Sequence, residues 1–110
     1  MALDVGKIGS QIVAQAANIA GTDWKAIASA ATVELKGLAQ RIGLIIEAHA
    51  SGELSQVRAK KHLRTARFHV IATIAMLTVM VESMVEKIVN GALKIVKDAV
   101  NQAAGFALLL

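Results

Sequence analysis

An all-α fold is what the sequence predicts, and three observations carry the prediction. Apolar residues recur at alternating spacings of three and four over most of the 110 residues, the period of one helix face. Proline is absent, so no helix is forcibly broken. Two glycines, Gly21 before Thr22-Asp23 and Gly52 after Ser51, stand where a helix ends on a left-handed residue. These stops divide a single domain, residues 1–110, into helices over about 4–20, 23–51 and 53–107.

The first helix places Val5, Ile8, Ile12, Ala16 and Ile19 on one face. Gly6 and Gly9 each cost about 1 kcal/mol relative to Ala, so it is expected to be the weakest of the three. Thr22 is positioned to cap the second helix, with Asp23 in the first turn, where negative charge suits the helix dipole. In that helix Trp24, Ala28, Ala31, Leu35, Leu38, Ile42, Ile45 and His49 fall on one seam. Its small alanines allow close approach of a partner at one end, and Leu and Ile fill the other.

The third segment has a seam of Leu63, Arg67, Val70, Ile74, Leu77, Val81, Met84, Ile88 and Ile95. Unbroken, a helix of ~50 residues would be ~75 Å long, whereas a compact chain of this length has a radius of gyration of only about 13 Å. Asn90-Gly91 is the expected place for a break. A polar stripe of Lys60, Arg64 and Arg67 at one end resumes as Glu82, Glu86, Asn90, Lys94 and Lys97 or Asp98 at the other. Between them, Phe68 to Val81 contains only His69, Thr73 and Thr78 as polar members, the pattern of a helix enclosed by partners or lipid. The expected architecture is therefore two long helices in an antiparallel hairpin plus a shorter N-terminal helix, a helical bundle completed by oligomerisation.

Composition narrows the function classes. Apolar residues make up 55% and charged residues 18%, against a usual ~25% charged, so apolar helix surface exceeds what one such chain readily hides. One Trp, two Phe and no Tyr leave few platforms on which bases or sugars stack. The absence of cysteine excludes disulfides, thiolate catalysis and cysteine-ligated zinc. Met1 to Ala20 carries Asp4, Lys7 and three amides among scattered Ile and Val, which reads as no cleaved leader; the compartment is left open, cytoplasmic or membrane-associated.

No catalytic constellation is present, and no cofactor, metal or catalytic residue is assigned. There is no HExxH pair, GxSxG elbow or glycine-rich phosphate loop. Glu82 and Glu86 lie one turn apart, but the Glu-x-x-His pattern of di-iron bundles is missing. His49, His62 and His69 would approach one another in a hairpin and read as residues beside a basic turn.

The net charge of +4 is concentrated. Arg58, Lys60, Lys61, Arg64 and Arg67 fall within ten residues that hold no acid, and these five are the expected contacts to anionic lipid or phosphate. A basic band beside an apolar tract is a juxtamembrane pattern. Nucleic acid is the less favoured partner, because no interleaved aromatics accompany the charge. The fourteen residues from Phe68 to Val81 fall short of the ~20 needed to span a bilayer. The terminal Gly-Phe-Ala-Leu-Leu-Leu carries no charged side chain and reads either as a docking element for a neighbour or as a segment buried against the chain's own first helix. The expected assembly interface is Phe68, Ile71, Ile74, Leu77, Val81, Phe106, Leu108, Leu109 and Leu110.

Apolar helices flanking the basic segment 58–67 resemble, in arrangement, the subunits of conjugative pili, which implies assembly of identical chains within or beside a membrane. The length and helical hairpin resemble WXG-type secreted proteins. Trp24, however, is followed by Lys25 and Ala26 rather than by x-Gly, and lies away from the Ser51-Gly52 turn, which argues against that class. The function expected from the sequence is a non-enzymatic, self-assembling helical subunit of a homo-oligomer, ring or filament, with itself as partner. The alternatives are a small membrane-active, pilin-like or holin-like protein and a basic nucleic-acid-binding module.

Overall fold

The computed structural model describes residues 3–109, and their regular structure is entirely helical. Asp4 opens α1 (Val5–Ala20). Its carboxylate accepts from the Lys7 N–H at 3.0 Å, satisfying one of the four donors that a helix start leaves free. Gly21, at φ +59°, turns the chain into a single 3₁₀ turn, Gly21–Asp23, that runs straight into α2 (Trp24–Ala50). The expected Thr22 cap does not form as such. The connection stays coiled, and the Trp24 N–H donates to the Gly21 carbonyl instead.

At ~1.5 Å per residue α2 is about 40 Å long, and it sets the 41 Å long axis of the molecule. Gly52, at φ +83°, ends it. Ser55 then caps α3 (Gln56–Leu77), its hydroxyl accepting from the Arg58 N–H at 3.2 Å.

The expected third helix, 53–107, is two helices, and the chain reverses at residues 78–81 rather than at Asn90-Gly91. The Thr78 hydroxyl donates to the Ile74 carbonyl at 2.8 Å and its oxygen accepts from the Met80 N–H at 3.3 Å. That bonding offers the backbone an alternative to the helix ladder. Thr78, Val79 and Val81 are all β-branched, which lowers the cost of the extended conformation adopted at Thr78 and Val81. α4 (Glu82–Ala104) follows and passes unbroken through Asn90 and Gly91. A Cβ at Gly91 would stand 2.7 Å from the Ile19 Cδ1, so this glycine serves close packing of α1 on α4.

The four helices form a bundle in which α1 packs on α2 and α4, α2 on α3, and α3 more sparsely on α4. Gly9 lies opposite Ala39, and Gly43 opposite Val5, so α1 and α2 run in opposite directions. A Cβ on Gly43 would meet Val5 Cγ2 at 2.6 Å; the glycine fixes how near the two axes come. The second-helix seam turns inward as expected from Ala31 to Ile45, joined by Ile27 and Ala39. On α4 the inward residues are Val85, Ile88, Val89, Ala92, Leu93, Val96 and Val100. Met84 and Ile95, placed on the core seam by the unbroken-helix reading, are exposed because the reversal resets the helical register at Glu82, and Leu77 and Val81, at the turn itself, are exposed as well. No polar or charged residue is buried among the described residues.

The C-terminal tail folds back onto this bundle. Gly105, at φ +79°, closes α4. The Asn101 side chain then pairs with the backbone of Leu109, donating to its carbonyl at 2.8 Å and accepting its N–H at 2.7 Å. Phe106 lies against His49 with ring centroids 4.5 Å apart, while Leu108 and Leu109 are buried.

Candidate functional site

The reversal at 78–81 changes what the charged residues can do together. In a straight helix Arg67 and Lys94 would be ~40 Å apart, at 1.5 Å per residue. Folding α4 back brings them to one hollow of about 360 Å³, lined by Arg67, Asn90, Leu93, Lys94, Lys97 and Leu109. Arg67 is half-buried there, and its guanidinium carbon lies 5.9 Å from the centre of the exposed Phe68 ring.

The expected basic cluster therefore divides between flanks of α3. Arg58 and Lys61, with His62 and Thr65, line one exposed hollow. Lys60, Arg64 and Arg67, spaced by four and three residues, share the polar stripe that continues toward α4. Residues 54–81 contain no Asp or Glu, so no neighbour within the helix neutralises these charges. His69 sits elsewhere, beside α2 residues Val33, Gly37 and Leu44, and His49 is engaged by Phe106. No group of three or more His, Asp or Glu residues disposed to hold a metal occurs among the described residues.

The residues expected to form an assembly interface also separate. Ile71, Ile74, Leu108 and Leu109 are buried by the chain's own helices and tail, so their apolar surface is already covered within the chain. Phe106 is partly covered by His49. Leu110 lies outside the described residues. Phe68, Leu77 and Val81 remain exposed.

Leu77 and Val81 belong to a feature that sequence periodicity missed. Met76, Leu77, Val79, Val81 and Met84 are all exposed at the α3–α4 turn, with Val79 at 91%. Five large apolar side chains exposed within nine consecutive residues are a concentration that singly scattered surface hydrophobics do not give. The sequence signal available was the β-branched run itself, read as helix because no proline or glycine marked it. No helix among the described residues is long and apolar enough to cross a membrane.

A further hollow, of about 760 Å³, lies between the start of α1 and the end of α2 and is lined mainly by Leu3, Val5, Gly43, Leu44, Ile46 and Ala50. Its polar members, Gln40 and Glu47, are exposed and do not converge on a reacting centre. Comparison of the chain with protein-family models, curated proteins and solved structures finds no match in any of the three.

Proposed function

We propose that the protein is a non-enzymatic bundle that binds the surface of anionic membranes through α3 and the α3–α4 turn. The observation that carries this reading is the exposed apolar turn, Met76 to Met84, continuous with a helix that bears five cations and no acid. Arg58, Lys61, Thr65, Phe68, Ala72 and Met76 follow helical spacing along one outward face. That face is basic at its first half and apolar at its second. An interfacial helix with this division lies inclined to the bilayer plane, cations at the headgroups and the apolar end at the acyl boundary.

A second copy of the chain is a poorer match for the same face. Parallel apposition would set like charges together, and antiparallel apposition would desolvate cations against apolar residues, both unfavourable. Anionic lipid supplies both a negative surface and an apolar layer. Glu82, exposed just beyond the turn, limits how deep the turn can enter.

Flotation with liposomes containing phosphatidylserine tests the reading. The wild-type protein is expected to float with the vesicles, and Val79→Asp to remain in the dense fraction. Each Lys or Arg near an anionic leaflet contributes ~1 kcal/mol, so replacing Arg58, Lys61 and Arg64 by Gln should weaken binding about a hundred-fold. Failure of the wild type to bind any vesicle overturns the reading. Salt-dependent binding to duplex DNA or RNA in its place would transfer the basic face to nucleic acid.

A different surface favours self-assembly as a second reading. Val33 and Leu44 are exposed on α2 and border a groove with Leu38, Ala66 and Val70. Between them a Cβ built on Gly37 would meet nothing within 4 Å, which leaves a hole able to take a side chain from a facing helix. Sedimentation equilibrium at micromolar concentration should show association that Gly37→Leu abolishes. A wild-type monomer under those conditions excludes it.

A further inference from the structure

We infer that the hollow between α3 and α4 is an oxyanion site, fitted to a phosphate monoester. Three cations from two helices, Arg67, Lys94 and Lys97, line it together with Asn90. No carboxylate is among its lining residues, so the side chains that gather there have no opposite charge of their own within it. Convergent like charges repel, and an anion held among them relieves the repulsion.

Asn90 is the uncharged polar member of the lining. A phosphate monoester suits the three cations beside it, because its P–O⁻ oxygens accept from Arg67, Lys94 and Lys97 together, and near its second ionisation it carries about −1.5 to −2 charge. A simple carboxylate brings one negative charge and two oxygens to the same cations.

The fold provides the setting. Lys94 and Lys97 lie one turn apart on α4, and Arg67 faces them from α3, supplying the planar fork that matches phosphate oxygens. Leu93 and Leu109 form the apolar part of the lining, and Leu109 is held in place by its two hydrogen bonds to Asn101. The hollow is large enough, at about 360 Å³, for a phosphate with a small organic body. Such a group could arrive free in solution or as the headgroup of a lipid such as phosphatidate. The site shares only Arg67 with the cluster considered above, and it stands whether or not the protein meets a membrane.

Titration of the isotope-labelled protein with inorganic phosphate, followed by NMR at constant ionic strength, tests the inference. Saturable shifts confined to residues 67, 90–97 and 109 are expected, with chloride producing none. Lys97→Gln should weaken phosphate binding about ten-fold, while Lys87→Gln, an exposed cation outside the hollow, should leave it unchanged. Shifts that do not saturate, or that spread equally over Arg58 and Lys61, overturn the site. Vesicle arms identify the source: tighter binding to phosphatidate than to phosphatidylserine at equal surface charge, lost in Lys97→Gln, assigns a lipid headgroup. Equal binding to both lipids beside saturable binding of inorganic phosphate assigns a soluble ligand. Vesicle binding without any phosphate saturation leaves the membrane reading standing and rejects this one.

Discussion

Ile74→Asp is expected to abolish the cooperative thermal transition of the protein, whereas Leu77→Asp, three residues further along the same helix, should shift stability by no more than about 1 kcal/mol. Ile74 is 1% exposed and Leu77 is 60% exposed. Removing a buried Ile side chain costs about 2–5 kcal/mol before any charge is considered, and an unpaired carboxylate in an apolar interior adds several more. The sum rivals the whole stability of a small domain, about 5–15 kcal/mol. Circular dichroism melts of the two variants check it. Similar melting temperatures for both would contradict the position of α3 in the bundle. Lys94→Gln, on the exposed face of α4, is the control, nearly silent in stability, although it removes a cation from the α3–α4 hollow.

Asn101→Ala should lower stability by about 2–4 kcal/mol and release the tail. The side chain supplies both partners for the Leu109 backbone, at 2.8 and 2.7 Å. Each hydrogen bond is worth about 1 kcal/mol net, and a buried group left without a partner costs more than that. Freed from this clasp, Leu108 and Leu109 lose part of a burial worth about 1.5–3 kcal/mol each when complete. Asn101→Asp should behave similarly, because a carboxylate cannot donate to the Leu109 carbonyl. Amide hydrogen exchange at Leu109 gives the direct readout. Protection that persists in Asn101→Ala would show that packing alone holds the tail.

Much of the candidate site was legible along the chain, and the remainder was not, for identifiable reasons. The five bases from Arg58 to Arg67 stand out because they are close in sequence and carry no intervening acid. Lys94 and Lys97 could not be joined to them, since the connection depends on where α4 turns back. The apolar stretch Phe68 to Val81 was recognised as unusual, but its meaning divided. Its first part supplies Val70, Ile71 and Ile74 to the core, and its last part forms an exposed turn. A helical wheel cannot separate these, because it places Leu77 beside Ile74 and Val70 without showing that α3 ends at Leu77.

Helicity, the turns at Gly21 and Gly52, and the inner face of α2 were set locally. Proline-free segments with three-four apolar spacing favour helix whatever surrounds them, and a left-handed turn position selects glycine by its backbone sterics. The reversal at Thr78 to Val81, the passage of α4 through Asn90-Gly91, and the docking of Leu108 and Leu109 were decided in three dimensions. At those places local preference is weak or points elsewhere, so the outcome follows from what burial gains. Turning back at Thr78 gives Val85 through Val100 a surface on which to pack and lets Ile19 lie against Gly91. A straight helix would have left that same face in water, and short-range propensity, worth tenths of a kcal/mol per residue, is outweighed by side-chain burial worth about 1.5–3 kcal/mol for each large aliphatic residue.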